Sequence, residues 1–326
     1  MKISAPAYYH QFRCIASACP DSCCHEWDVD VDDASAAYYR NLPGDLGDRL
    51  RQVLVDTEDG TVMAIENGRC PMWRADGLCR IQAELGHDAL CAVCQRFPRL
   101  THDYGSHLDR DLELSCPEAA RLIFSCDDRL TTGDAPGGEE ADDPATLDIL
   151  LRSREAVLEF LSDTRRSLPR ALTALLLYGH HLQEELDGGD TATLDPDADL
   201  PCSGGDMDAI FAFFQSLEIL TPRWQSRLEA GPRPGSWDLL LYAFARYMVR
   251  RYWLQAVSDY DILCRVKFIV VSCLLLKALG GDTVETAQLF SKEIENDPDN
   301  VEAILDGAYR SPALTDTNLL ALLTEV

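Results

Sequence analysis

Lysine is scarce in this chain of 326 residues, which contains only Lys2, Lys267, Lys277 and Lys292 among its 29 basic residues. Acidic residues number 55, so the formal net charge at pH 7 is −26. A protein that binds nucleic acid neutralises phosphates with Lys and Arg, and this charge balance therefore argues against a nucleic-acid partner. It favours a basic partner, or else it serves only solubility.

Long apolar runs are also missing. The longest strongly apolar run, residues 268–276, is far shorter than the roughly 20 residues that a helix needs to cross a bilayer. The first twelve residues contain no apolar segment typical of a signal peptide. We therefore expect a cytoplasmic protein with no membrane partner. Thiols stay reduced in the cytoplasm, where clustered cysteines favour metal ligation over disulfides.

Several motifs of common enzyme classes are absent. No strand–GxGxxG–helix pattern occurs, so the sequence gives no support for an ordinary Rossmann-type nucleotide site. The CxxxCxxC pattern of radical enzymes is missing, because Cys19-x3-Cys23 is followed at once by Cys24. His180 and His181 have no spaced carboxylate resembling HExxH, which argues against a zinc site there.

Cysteine, by contrast, is concentrated at one end, where ten of thirteen lie in the first 126 residues. A chain of this length buries a large core without crosslinks, so the cysteines are not needed to stabilise a small fold. Eight stand out by their context: Cys14, Cys19, Cys23, Cys24, Cys70, Cys79, Cys94 and Cys116. Four thiolates complete one metal site, so the eight predict two sites or one site plus structural thiols. Buried cysteines without a metal are the alternative.

The spacings bear on which metal would bind. A four-cysteine zinc site usually uses close CxxC pairs, and only Cys91-x2-Cys94 has that spacing. The other spacings are irregular and dispersed, which favours an iron–sulfur cluster over zinc. Cys126 and Cys202 are isolated in the sequence, whereas Cys264 and Cys273 lie in an apolar helical pattern and are expected in the core.

The remaining patterns predict a mostly α protein in two parts. We expect a cysteine-rich, metal-binding domain over residues 1–130, an acidic Gly/Pro linker over 131–144 and a helical domain over 145–326. In the first domain, residues 99–104 and 107–114 flank Gly105-Ser106 and predict a short β-hairpin. Beyond the linker, apolar residues recur at three-to-four spacing and predict helices over 145–162, 169–186, 207–220, 237–257, 261–279, 284–294, 301–305 and 314–323.

Four motifs in order resemble the flagellin lysine-N-methylase family, which carries a cysteine-rich domain of the CxxCxxCC iron- or zinc-chelating type. They are FRCIASACPDSCCHEWDVDVD from residue 12, GRCPMWRADGLCRIQAELG from residue 68, CQRFPR from residue 94 and LSCPEAARLI from residue 114. The helical half is similar around YAFARYMVRRYW and KFIVVSCLLLKALG. The resemblance is strongest over residues 10–125.

The resemblance implies transfer of a methyl group from S-adenosylmethionine to the ε-amine of surface lysines on flagellin, or on another lysine-bearing protein. It also implies a [4Fe-4S] cluster, with zinc as the alternative, and makes the eight cysteines named above the ligand candidates. Cys91 falls where the family pattern shows a small polar residue and is left out of that set. The competing hypothesis is a non-enzymatic iron- or zinc-binding or redox protein with a helical interaction domain.

Few residues qualify as bases or cofactor ligands. His25 and Glu26 follow the cysteine pair and are candidate bases. Trp27, Tyr8 and Tyr9 are candidates for stacking on adenine, and packing within the domain is the favoured alternative for all five. Arg96 and Arg99 are candidates for binding the carboxylate of S-adenosylmethionine, or for bridging the two domains.

Two further features bear on the substrate. His102 and His107 flank the hairpin turn and are candidates for a site mouth, or are exposed loop residues. The acidic stretches 137–143 and 187–208 would attract a lysine-bearing surface, or are simply solvated loops.

Overall fold

A computed structural model describes residues 1–25 and 27–324 of the chain. Within these residues the chain forms fourteen α-helices and seven short strands, which confirms the predicted mostly helical fold. The chain divides into two compact units. We call residues 12–100 and 116–119 the cysteine unit. The helical unit contains residues 1–11, residues 101–115 and everything described from Ala120 onwards.

The helices follow most of the predicted ones, with changed ends. In chain order they are α1 (Asp33–Asn41), α2 (Gly44–Val53), α3 (Arg80–Leu85), α4 (Ala92–Arg96), α5 (Pro117–Ser125), α6 (Pro144–Ser162), α7 (Leu168–Leu186), α8 (Met207–Gln215), α9 (Pro222–Glu229), α10 (Leu239–Tyr252), α11 (Ile262–Leu279), α12 (Thr283–Phe290), α13 (Pro298–Arg310) and α14 (Asp316–Thr324). Short 3-10 turns cover Tyr9–Gln11, Ala16–Ala18, His87–Ala89, Trp253–Val257 and Pro312–Leu314, and a π turn covers Ser291–Glu295.

The strands form two small sheets. They are β1 (Lys2–Pro6), β2 (Val29–Val31), β3 (Leu54–Thr57), β4 (Gly60–Met63), β5 (Arg99–Asp103), β6 (His107–Leu112) and β7 (Leu130–Asp134). One sheet has the order β5-β6-β1-β7, in which β1 pairs parallel to β6 and antiparallel to β7. The other, in the cysteine unit, is the antiparallel sheet β2-β4-β3. The predicted hairpin is present as β5 and β6, and Tyr104 N donates to His107 O across its turn at 2.9 Å.

Part of the segment expected as a linker is a β-strand. The segment expected as a linker over 131–144 begins with β7, which is hydrogen-bonded to β1 in the helical unit. Thr131 Oγ1 also donates to Ala5 O at 2.8 Å. Backbone pairing satisfies the polar groups of this Gly- and Thr-containing segment, and composition alone did not reveal it because the partner strand lies more than 120 residues away in the sequence.

The core of the helical unit is built around α11. Seventeen of its eighteen residues are buried, and Asp261 begins the helix by accepting from Cys264 N at 3.1 Å. A helix that is apolar on all sides needs neighbours on all sides, and α7, α10 and α13 pack on it. Gly179 of α7 faces Val266, where an added Cβ would lie only 3.0 Å from Cγ1. A larger residue there would push the two helices apart.

The four-stranded sheet carries a buried charged cluster. Asp109 on β6 accepts hydrogen bonds from Ser4 and from Arg154, the latter at 2.8 Å, and His107 Nε2 lies 2.9 Å from Ser4 Oγ. Burial raises the pKa of Asp109, but the bonds from His107, Arg154 and Ser4 outweigh it and lower that pKa to about 2. The carboxylate is therefore held ionised by its neighbours.

The buried cluster around Asp109 predicts that the protein loses folding stability in acid. Because the folded pKa of Asp109 lies below the value of about 3.9 expected when unfolded, its stabilisation is fully present above pH 4 and is lost as the pH falls towards 2. The lowered pKa of Asp109 corresponds to a contribution of about 2 to 3 kcal/mol to the free energy of unfolding. In urea titrations, the free energy of unfolding of the wild type should fall between pH 7 and pH 2 partly because Asp109 is protonated. In Asp109→Asn this fall should be smaller by about 2 to 3 kcal/mol. Asp190→Asn, an exposed loop residue, is the control and should follow the wild type.

Among the described helices, none combines the length and the apolar character that crossing a bilayer would require.

Candidate functional site

Six thiols of the cysteine unit interact with one another. Hydrogen bonds join three pairs, Cys23 with Cys24, Cys24 with Cys70, and Cys91 with Cys94. Cys79 lies near enough to interact electrostatically with Cys23, Cys70 and Cys91. We call this set the thiol cluster: Cys23, Cys24, Cys70, Cys79, Cys91 and Cys94. Five of the six are among the predicted ligand candidates, and Cys91 is the addition.

Local backbone structure brings these thiols together. Cys70 N donates to Cys24 O at 2.7 Å, which joins two segments separated by 46 positions. Cys79 stands immediately before α3 and forms an isolated β-bridge with Trp73. Cys91 stands immediately before α4, and Cys94 lies within that helix. Their thiols therefore lie at short helix starts and turns, where the backbone changes direction.

The other three predicted ligand candidates lie around this cluster. Cys19 interacts electrostatically with Cys14 and with Cys23, and Cys116 with Cys19 and Cys23. Cys14 is exposed and Cys116 is buried. The cysteine unit thus contains all eight candidates, and Cys23 connects the thiol cluster to these outer three.

Interactions between neighbouring thiols change their pKa values. The hydrogen bond with Cys94 lowers the pKa of the Cys91 thiol to about 7, while its partner's pKa is raised by the same bond and by burial. The pKa of Cys23 is raised by its bond to Cys24 and by burial. Neighbouring thiolates repel each other, so in the Cys91–Cys94 pair the first thiol ionises at the expense of the second.

The thiols of the thiol cluster are donors that suit a soft metal, although they are not arranged as a complete metal-binding site. Thiolates are the ligands of zinc and of iron–sulfur clusters, and the six thiols that interact within this unit are donors of the kind that such a group needs. Across residues 1–25 and 27–324, no three His, Cys, Asp or Glu side chains stand in an arrangement that could hold a single metal ion. Ligation by this cluster therefore stays a prediction.

Asp32 fixes one side of the thiol cluster. Its Oδ1 accepts from Ser35 N at 3.0 Å and caps α1, while its Oδ2 accepts from Ala92 N at 2.8 Å at the start of α4. The bond from Ala92, followed by those from Ser35, lowers the pKa of the Asp32 carboxyl. One carboxylate therefore links the first turn of α1 to the helix that carries Cys94.

Replacing Asp32 removes both bonds. We expect Asp32→Ala to lower the free energy of unfolding by about 1 to 2 kcal/mol, since the loss of a helix cap usually costs about 1 kcal/mol. Urea unfolding of the metal-free protein at pH 7 measures it. Asp33→Ala, one position later and exposed, is the matched control and should change stability by less than about 0.5 kcal/mol. Equal losses in the two variants would contradict the role of Asp32.

The predicted cofactor residues have different surroundings. Arg96 is exposed, and its Nε donates to Ala92 O of its own helix at 3.2 Å. Arg99 lies 5.0 Å from the centroid of the Phe12 ring and contacts Phe12 O at 3.5 Å. Trp27 is half-buried. Their roles in binding S-adenosylmethionine stay predictions.

An aromatic and cationic group lies beside the cysteine pair. The His25 and Trp73 rings are 5.4 Å apart at a steep angle, and the Arg69 guanidinium lies 4.2 Å from the Trp73 centroid. His25 also forms a β-bridge with Arg69, the residue before Cys70. Arg69 and Trp73 are not among the candidates expected from the sequence, although both lie inside the GRCPMW motif. Glu26, the other base candidate, lies outside the described residues.

The helical unit contains a separate open cavity of about 1290 Å³. Its lining includes His102 and Tyr104 of the hairpin, Arg251 and Tyr252 at the end of α10, and Glu295 of the π turn. Tyr252 OH donates to Glu295 Oε1 at 3.0 Å, and Arg251 lies 2.9 Å from His102. Burial and the Arg251 charge lower the pKa of His102. This histidine is therefore part of a cavity wall, and its role at a site mouth stays a prediction.

The other candidate side chains have structural partners in the helical unit. His107 is buried within β6 next to Ser4, so the alternative of an exposed loop residue is wrong for it. Tyr8 is fully buried and hydrogen-bonded to Asp111. Its surroundings therefore agree with packing, the alternative to stacking on adenine. His180 Nε2 lies 3.3 Å from Asp316 Oδ1. The sequence could not place these partners because they are distant along the chain.

Comparison with known proteins returns relatives of one kind. The chain is 29% identical over 145 residues to the flagellar biosynthetic protein FliU of Salmonella muenchen, a match that covers 40% of this chain and 82% of that protein. It is also 29% identical over 141 residues to the lysine-N-methylases of Salmonella typhimurium and Salmonella choleraesuis, covering 39% of this chain and 34% of each. No family model and no solved structure matches the chain. The matched region spans about a third of the two methylases, and the resemblance predicted from the four motifs is confirmed.

Proposed function

We propose that this protein is a protein-lysine N-methyltransferase that uses S-adenosylmethionine and acts on surface lysines of flagellin or of another lysine-bearing protein. The observation that carries the proposal is the similarity to two proteins named lysine-N-methylase and one named for flagellar biosynthesis. The clustering of thiols in the cysteine unit supports it, since the same motifs that carry the resemblance supply five of the six thiols in the cluster.

The reaction has a clear balance. The lone pair of a neutral lysine ε-amine forms a bond to the methyl carbon, the bond from that carbon to the sulfonium breaks, and S-adenosylhomocysteine leaves with the electron pair. The methylated nitrogen then carries a positive charge, and it becomes neutral again by releasing a proton. A free lysine has a pKa of about 10.4, so the protein must favour the neutral amine through desolvation or a base.

We further propose that the cysteine unit binds a [4Fe-4S] cluster, or zinc, through four of its thiols. The thiol cluster is the first source of these ligands, and Cys14, Cys19 and Cys116 are the remaining candidates. When bound, such a group would fix the loops that carry these thiols.

The competing function is a metal-binding or redox protein without methyl transfer. The thiol cluster on its own would serve either function, so the assay must measure transfer. Protein purified without oxygen is incubated with monomeric flagellin and S-adenosylmethionine carrying a radioactive methyl group. The proposal expects label in flagellin and production of S-adenosylhomocysteine in equal amounts. Metal-loaded protein that produces neither with any lysine-bearing substrate would favour the non-enzymatic function.

A further inference from the structure

The cavity of the helical unit is large and strongly acidic. Its volume of about 1290 Å³ exceeds the 300–1,000 Å³ typical of small-ligand pockets. Six carboxylates lie on its outer lining, and basic groups there are limited to Arg251, His102 and the amino terminus of Met1 among the described residues. The six are Asp103, Glu139, Glu140, Asp142, Asp143 and Glu302. This balance favours a positively charged occupant.

The deeper wall contains a buried carboxylate. The Glu295 side chain has no exposed surface, yet the residue lines the cavity. Tyr247 OH and Tyr252 OH donate to its oxygens at 3.0–3.2 Å, and Arg251 Nε lies 3.9 Å away. Arg251 Nε has no hydrogen-bond partner although it is buried. Glu295 is therefore a buried carboxylate at the cavity wall, held in place by two tyrosine hydroxyls and by the nearby Arg251.

The backbone that carries Glu295 is unusual. Residues Ser291–Glu295 form a π turn at the end of α12, and Asp297 then begins α13 by accepting from Asp299 N and Asn300 N. The π turn changes the direction in which Glu295 projects relative to a continuous α-helix. Such turns are rare and occur often at functional sites. Without it, the regular helix predicted over 284–294 would have given Glu295 a different orientation.

Aromatic side chains complete the cavity. Tyr104 and Tyr260 belong to the lining, and Tyr260 is 46% exposed. The face of a tyrosine ring attracts an alkylammonium group, whether or not that group is methylated. Carboxylates and tyrosines together are therefore a surface for an ammonium carried on an apolar stem.

We propose that this cavity is the acceptor site, which takes the ε-ammonium of a lysine together with the neighbouring residues of the protein that carries it. The inference rests on the function proposed above and names the place on this chain where the substrate lysine binds. Glu139, Glu140 and Glu302 attract the charged lysine-bearing segment, while Glu295, held by Tyr252, lies deeper in the cavity. The acidic stretch over 137–143, left open in the sequence as either a substrate surface or a solvated loop, is assigned the first role.

A matched pair of triple variants tests the proposal. The cavity variant is Glu139→Gln, Glu140→Gln and Glu302→Gln, all exposed. The control variant is Glu155→Gln, Glu159→Gln and Glu184→Gln, which are exposed residues of α6 and α7. Both change the net charge by the same amount in the same unit, so a difference between them reports position and not total charge.

The probe is a seven-residue peptide with blocked ends and one central lysine, Ser-Gly-Ala-Lys-Ala-Gly-Ser, compared with the same peptide carrying norleucine. Binding to the full-length protein is measured by ligand-observed NMR at low salt, without S-adenosylmethionine. We expect the norleucine peptide and the cavity variant each to weaken binding by about tenfold or more, which is the size of a few charge interactions near a surface. The control variant should stay within about twofold of the wild type.

Two results would overturn the proposal: equal affinity for the lysine and norleucine peptides, or equal weakening by the two variants. The outcomes also separate it from the proposed function. If the wild type methylates flagellin and the cavity variant keeps the same KM, the acceptor site is elsewhere and the function stands. If lysine binds in the cavity but no methyl is transferred to any substrate, the binding site stands and the enzymatic function is wrong.

Discussion

The Cys24→Ser variant, purified without oxygen, is expected to contain almost no iron or acid-labile sulfide, whereas the wild type should carry about four of each per chain with a broad visible absorption band. Cys24 is the thiol that contacts two others, Cys23 and Cys70. A serine hydroxyl is nearly the same size but is a hard, weakly acidic donor that does not replace a thiolate on iron or zinc. Removing the central member of the set should therefore prevent assembly and not merely weaken it.

Cys202→Ser is the control for this experiment. Cys202 lies outside the cysteine unit and is half-buried, so its variant should retain the metal and sulfide of the wild type. Iron, sulfide and zinc are measured together with the absorption spectrum, and circular dichroism shows whether each variant is folded. Full cluster content in folded Cys24→Ser would remove this cysteine from the ligand set. Zinc without sulfide in the wild type, even after anaerobic reconstitution, would replace the cluster by a zinc site.

The second large effect is expected in the helical unit, where Arg250→Met should lower the free energy of unfolding by about 3 to 5 kcal/mol. Arg250 is buried and donates to Asp111 Oδ2, Asp128 Oδ2 and Tyr8 OH, each at 3.1 Å. Methionine fills much of the same volume but leaves Asp111 buried without its cation. Removing one member of a buried pair costs far more than removing both.

Urea unfolding at pH 7 measures this loss. Arg165→Met is the control, because Arg165 forms an exposed pair with Asp163, and exposed pairs contribute at most about 1 kcal/mol. Burial raises the pKa of the Asp111 carboxyl in spite of the nearby Arg250 charge, so Asp111 takes up a proton more readily once the arginine is gone. The loss in Arg250→Met should accordingly be smaller at pH 4 than at pH 7. A loss no larger than that of Arg165→Met at pH 7 would contradict the importance of this network.

Much of the helical unit was predictable because its signal is local. Apolar residues at three-to-four spacing placed α6, α7 and α11 within one residue of their observed ends. The hairpin of β5 and β6 was also predicted, because its turn residues lie between its own strands. In each case the residues that decide the structure are neighbours in sequence.

The errors in the predicted fold have a different physical origin. Strand β3 is not among the elements expected from the sequence; it begins at Leu54, immediately after α2, because Leu54 and Val55 pair with β4. The helix expected over 207–220 ends at Gln215, and α9 follows from Pro222. Strands β1 and β7 were not recognised at all. Short strands are stabilised by distant partners, and a single sequence does not show which partner that is.

The candidate site was likewise predictable only where its residues lie in one short segment of sequence. The cysteine motifs named most of the thiol cluster, since each motif is a short segment around one or two thiols. Cys91 was set aside, yet its CxxC spacing with Cys94 was the signal that would have included it, and the two thiols are hydrogen-bonded. The acidic cavity could not be predicted, because its wall combines the hairpin, the end of α10 and the π turn at Glu295.

The most direct test of the central claim follows the methyl group itself. Anaerobically purified protein is incubated with monomeric flagellin and S-adenosylmethionine whose methyl group carries three deuterium atoms, and flagellin peptides are sequenced by mass spectrometry. The proposal predicts trideuteromethyl groups on lysine ε-nitrogens, absent when the enzyme or S-adenosylmethionine is omitted. Unlabelled lysines in flagellin and in other lysine-bearing proteins, with cluster-loaded enzyme, would contradict it.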